Sequence, residues 1–146
     1  MADRPPGGIR FIGSEHLVGH RRNVAFAEKY KDRVAVVAVN VNTIPEDRLD
    51  AMKKRAGQKK YSFPYLYDES QKIARDYGAN YTPEFFVLTK DRKVAYMGAM
   101  DDKTKADEVK EKYLEAAVDA VLKGEKPPKG ETIAHGCMIR YKRTRD

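Results

Sequence analysis

The chain has 146 residues, one domain's length, long enough to bury roughly two-thirds of its unfolded surface without a metal or a disulfide framework. Its single cysteine excludes an internal disulfide, and no apolar run approaches the roughly 20 residues that cross a bilayer. The net charge of +7 sits on residues 1–33 and 126–146 and leaves the middle neutral. Such ends attract polyanions by charge alone, but no nucleic-acid motif accompanies them, so a solvated basic surface is expected, with neither nucleic acid nor membrane as a partner.

In chain order, Met1–Gly8 is rich in Pro and Gly and reads as irregular, and Ile9–Ile12 as a very short strand. Glu15–Tyr30 reads as a helix with Leu17, Val24, Ala27 and Tyr30 near one face, weakened early by Gly19 and His20. Val34–Val41 is a continuous Val/Ala run, suited to a parallel strand buried on both faces and flanked by this helix and the last one. Thr43-Ile44-Pro45-Glu46 has the form of a capping box, opening a helix to Ala56 with Gly57 as its stop. Phe63–Tyr67 is a short extended segment. Asp68 then caps a helix carrying Ile73, Ala74 and Tyr77 and closed by Gly78. Phe85–Leu88 and Lys93–Met97, split by a polar tetrapeptide, read as an antiparallel hairpin. Asp107–Lys123 has a broad apolar helical stripe, stopped by Gly124 and Pro127-Pro128. Beyond it lies an irregular basic arm. Helices alternating with apolar strands predict a layered α/β fold.

The stretch Asp76-Tyr77-Gly78-Ala79-Asn80-Tyr81-Thr82-Pro83-Glu84-Phe85-Phe86-Val87-Leu88 ends a helix on Gly, passes through Thr-Pro and enters an apolar strand. Phe63–Asp68 precedes it and Arg92–Gly98 follows it. This layout resembles the region around the cis-proline of the thioredoxin superfamily, in its redoxin (peroxiredoxin-like) branch. The resemblance runs from about Phe26 to Arg143 and includes Val39-Asn40-Val41-Asn42 and Gly136-Cys137. It implies a three-layer α/β sandwich with a mixed sheet, a C-terminal β-hairpin and a shortened N-terminal strand. The domain would span residues 9–124, with 125–146 as a basic C-terminal arm. The implied activity is thiol–disulfide exchange or peroxide reduction, with a protein thiol, disulfide or reductant as partner and no cofactor or metal.

In that family the central strand ends in Phe-x-Cys-x-x-Cys-Pro, with the first cysteine at a helix N-terminus that favours its thiolate. Matching on Phe11 puts the two cysteine positions at Gly13 and His16; counting back from Tyr30 puts them at Arg10 and Gly13. Neither register supplies a thiol. Either the chain keeps the scaffold and has lost the chemistry, or its N-terminus is truncated or misassigned. Read as it stands the protein is expected to be cytoplasmic, because residues 1–10 lack a signal peptide's apolar core; a truncated start would allow a periplasmic or secreted parent.

By the same resemblance, the backbone before Pro83 pairs with extended substrate, which makes Thr82 and Pro83 the substrate-binding candidates. The bland alternative is a structural turn. Cys137, in His135-Gly136-Cys137-Met138, is the sole catalytic candidate, and lone cysteines are more often inert. His16 and His20 stand i, i+4 but complete no metal motif, and Glu84 is expected at the surface. Two functions follow. One is a redoxin whose activity is weak or lost. The other is a non-catalytic module that holds an extended peptide by backbone pairing.

Overall fold

A computed structural model describes residues 8–12, 20–45 and 48–143. Strand β1 (Gly8–Ile12) is followed by helix α1 (His20–Tyr30), β2 (Ala35–Asn40), α2 (Leu49–Lys59), β3 (Tyr65–Tyr67) and α3 (Lys72–Tyr77). Then come β4 (Tyr81–Thr82), β5 (Glu84–Leu88), β6 (Val94–Gly98), α4 (Tyr113–Leu122) and β7 (Cys137–Met138).

Five strands form one sheet in the order β3-β2-β1-β5-β6. β1 runs parallel to β2, and β2 parallel to β3, so each connection needs a crossover, which α1 and α2 supply. β5 runs antiparallel to both β1 and β6, closing the expected hairpin. The short N-terminal strand is the centre of the sheet. Each of its residues has a partner on both sides, Arg10 facing Val37 on one and Phe86 on the other.

Alternation along the strands separates two apolar cores. Ala38, Phe85, Val87 and Tyr96 point to the face covered by Phe26, Ala27 and Tyr30 of α1 and by Leu114, Ala117 and Val118 of α4. Val39, Val41 and Phe86 point to the opposite face, against Ala74 of α3, Ala79 and Ile139. The two helices of the first layer are also tied by polar contacts. Tyr30 donates its hydroxyl to Asp119 at 2.7 Å, and Lys29 pairs with Glu115 at 2.8 Å. Burial, the Asp119 hydrogen bond and its charge push the Tyr30 hydroxyl pKa well above the ordinary tyrosine value.

Several expectations need correction. The run at 34–41 is not buried throughout: Ala35 is exposed and Val36 and Val37 are half-buried, because β3 pairs only with Ala38–Asn40 and the start of β2 lies beyond its end. Its second face is covered by α3 and the C-terminal segment, not by a flanking helix of residues 15–30 or 107–123. α2 starts at Leu49 with Arg48 as an N-cap that makes no side-chain capping bond, so Thr43 does not open it; Glu46 lies outside the described residues. Gly57 sits inside that helix, and Lys60 ends it in the left-handed conformation, its N–H reaching Ala56 O.

The last helix is also shorter than its apolar stripe. Asp102 accepts hydrogen bonds from the backbone of Lys110 at 2.9 Å and Glu111 at 3.0 Å, and its own N–H donates to Glu111 O. Those bonds hold residues 109–112 out of helical register, leaving a 3₁₀ turn at Ala106–Glu108 before α4. Asp68 caps α3 as expected, its carboxylate accepting from Ile73 N at 2.8 Å. Residues 125–143 are irregular, but they lie against the sheet, with Ala134 and Ile139 buried.

Two measurements check this arrangement. Val39→Asp places an unpaired carboxylate at a 2% exposed position and is expected to cost several kcal/mol, a large share of a domain's typical ~5–15 kcal/mol. Val94→Asp, at 49% exposure on the edge strand, should stay within about 0.5 kcal/mol of wild type in the same urea titration. Equal losses for the two would contradict the burial pattern. The second check is acid sensitivity. The Glu111 and Lys110 amides hold the Asp102 carboxyl below its ordinary 3.8. A depressed folded value stabilises above the unfolded one, and that contribution is lost as pH falls through the folded value. Asp102→Asn should therefore flatten the loss of thermal stability below about pH 4, relative to wild type. Parallel acid limbs would show that the carboxylate does not hold this loop.

Candidate functional site around the Thr82–Pro83 loop

α3 ends at Gly78, and the loop that follows is fixed from three sides. Tyr141 donates its hydroxyl to Ala79 O at 2.5 Å. The Glu84 carboxylate accepts from Asn80 N at 2.8 Å and Tyr81 N at 3.3 Å, and Ile139 N donates to Asn80 O at 2.9 Å. Glu84 is thus buried at the start of β5, at 4% exposure, contrary to its expected place at the surface. It replaces the water that two loop amides would otherwise need. The Thr82–Pro83 peptide bond is cis.

On this loop, β4 pairs antiparallel with β7, Tyr81 opposite Met138 and Thr82 opposite Cys137. The approach is close. A Cβ on Gly136 would lie 2.1 Å from Thr82 O and 3.0 Å from Pro83 Cδ, so only glycine fits there. Earlier, the same segment runs beside the edge strand β6, where it meets a second glycine. Gly98, at φ +142, has no room for a Cβ beside the Thr132 carbonyl, 2.3 Å away. Thr132 Oγ1 accepts from Ala99 N at 3.0 Å and contacts the Tyr96 hydroxyl at 2.6 Å. Tyr96 in turn donates to Ala99 O, and burial raises its pKa to about 12.

Gln71 fastens the far end. It is 1% exposed and adopts φ 59, a left-handed conformation that costs a non-glycine residue about 1 kcal/mol and persists only where the surroundings fix it. Its side-chain amide donates to Val41 O at 2.9 Å and Arg140 O at 3.1 Å, and its carbonyl accepts from Lys142 N at 2.9 Å. Arg75 adds a bond to Lys142 O at 2.6 Å and lies over the Tyr141 ring.

The structure therefore brings three of the residues read from sequence together: Thr82, Pro83 and Cys137. Thr82 is buried, Pro83 half-buried and Cys137 exposed. Gly13 and His16 lie outside the described residues. Among the described residues no group of three His, Cys, Asp or Glu side chains is placed to hold a metal. Sequence reading missed Gln71, Glu84 and Tyr141 as residues that shape the site. Gly136 carried a signal, since a glycine before the lone cysteine in a basic arm marks a close backbone approach. Nothing in the order of residues marked Gln71. Chemically, the site offers a short strand beside a proline, paired with the chain's own Cys137–Met138, and one accessible thiol, with no second thiol in the sequence.

The redoxin family profile matches residues 18–117. An uncharacterized conserved protein of Geobacillus kaustophilus is 33% identical, with a TM-score of 0.86 over 96% of this chain and 79% of its own. A hypothetical protein of Sinorhizobium meliloti is also 33% identical, with a TM-score of 0.87 over 95% of this chain and 81% of its own. A thioredoxin-like protein solved in its oxidized form shares the fold at 19% identity, with a TM-score of 0.63 over 81% of this chain and 80% of its own. A search of curated proteins finds no match. With a central β1 flanked by β2 and β5, a terminal hairpin and this coverage, the chain has a thioredoxin-like fold and belongs to the redoxin family.

Proposed function

We propose that the protein acts on partner-protein thiols or disulfides by docking an extended segment at the Thr82–Pro83 edge, with Cys137 as its only thiol. The observation that carries this reading is the pairing of Cys137 directly opposite Thr82, beside Pro83. A backbone edge that accepts a strand gives affinity through main-chain hydrogen bonds, and a thiol at its rim gives the docked segment something to react with.

The chemistry is limited by the thiol count. As a thiolate, Cys137 Sγ attacks one sulfur of a partner disulfide; that S–S bond breaks, a mixed disulfide forms, and the other partner sulfur leaves as a thiolate. Completing turnover needs a second thiol to attack the mixed disulfide, and an external low-molecular-weight thiol must supply it. With peroxide, Cys137 would become a sulfenic acid and release water or an alcohol, and the same class of reductant would return it. Cys137 is exposed, so its thiol is open to a partner segment and to a small reductant. Weak turnover combined with docking fits these features better than fast two-cysteine catalysis.

The test is turnover by the purified chain. Reduction of an insulin-type disulfide is expected to be negligible, and peroxide consumption slow, with both residual rates lost in Cys137→Ser. A peptide carrying a disulfide should still be trapped as one mixed disulfide per chain by wild type and not by the variant. Robust turnover that survives Cys137→Ser would overturn the thiol assignment.

A further inference from the structure

We propose that Gly136–Met138 is a displaceable strap, a built-in occupant of the edge on which a partner segment docks, and that the segment admitted there carries a glycine in the place of Gly136, against the Thr82 carbonyl and next to the residue that faces Thr82. The inference rests on the docking reading above and adds two things to it: what blocks the edge, and what class of peptide it takes.

The strap fills the edge as a partner strand would. It runs antiparallel to Tyr81–Thr82, and Ile139 N continues the pairing to Asn80 O at 2.9 Å. Its register is set by the contact of Gly136 with the Thr82 carbonyl and the Pro83 ring. Any other chain taking the same path meets the same two groups, so it too needs a residue without a Cβ there. That makes the partner class an extended, glycine-bearing peptide.

The strap is also lightly held where it pairs. Gly136, Cys137 and Met138 are all exposed, Met138 at 73%, and β4 and β7 are two residues each. The strong anchors lie on either side: Thr132 with Tyr96 before it, and Gln71 and Tyr141 after it. A two-residue pairing between firm anchors opens locally at far less cost than unfolding the domain. The tether keeps the strap at an effective concentration on the order of millimolar, enough to exclude weak competitors.

The probe is a labelled peptide with the sequence of Ala134–Tyr141, used under reducing conditions with the full-length protein. Gly136→Val drives a side chain into Thr82 O and lifts the chain's own strap; Gln71→Ala removes its clamp and serves where the first variant fails to fold. Either variant is expected to bind the probe at least about tenfold more tightly than wild type, since the tethered competitor is weakened. A probe with valine in place of its glycine should not bind. In wild type, which needs no variant, the Ile139 amide should exchange at least about tenfold faster than the amides of β5, which open only with the whole sheet. Exchange of Ile139 at the β5 rate would mean that the strap never opens alone, and would overturn the inference. Equal probe binding by wild type and variants would overturn it while leaving the docking reading intact. A released variant that binds no probe would overturn both, and tight binding of the valine probe would overturn the glycine requirement.

Discussion

The structure turns on one close approach, that of residues 130–143 to the sheet. Two glycines permit it. Gly98 lets Thr132 come within reach of the hydroxyl of Tyr96, and Gly136 lets the chain run over Thr82 and Pro83. Between and beyond them the segment buries Ala134 and Ile139 and ends in the three bonds of Gln71. Without it one face of the sheet would leave Val39, Val41 and Phe86 short of cover, because α3 is only six residues long. The segment is a layer of the sandwich whose only regular element among the described residues is the two-residue β7.

That arrangement also decides what the site can do. The same backbone pairing that completes the fold carries the only thiol to the edge beside Pro83. Basic charge nearby is partly committed to structure: Arg75 bonds Lys142 O and lies over Tyr141, and Arg22 pairs with the buried Asp101.

Much of the fold was legible because its signals are local. Val/Ala at 34–41, the hairpin around Asp91 and the Gly78 stop each follow from period, polarity or turn chemistry. The errors came from long-range bonds that override propensity. Asp102 reaches the amides of residues 110 and 111 and shortens a helix whose stripe alone would start it at Asp107 instead of Tyr113. Glu84 looks like a surface carboxylate until loop amides converge on it. The site was half legible. Thr82-Pro83 and Gly136-Cys137 each stood out in the sequence, but nothing in it says that the two motifs, more than fifty positions apart, are neighbours.

The most direct test is a nuclear Overhauser measurement on the full-length protein. With Asn80 and Ile139 forming a hydrogen-bonded pair, Tyr81 and Met138 are a close, non-hydrogen-bonded pair, in which the Cα atoms stand about 4.5 Å apart. A strong cross-peak between the α-protons of Tyr81 and Met138 is the expected result. Its absence, with the corresponding cross-strand peaks of β5 and β6 present, would contradict the placement of Cys137 at the Thr82 edge.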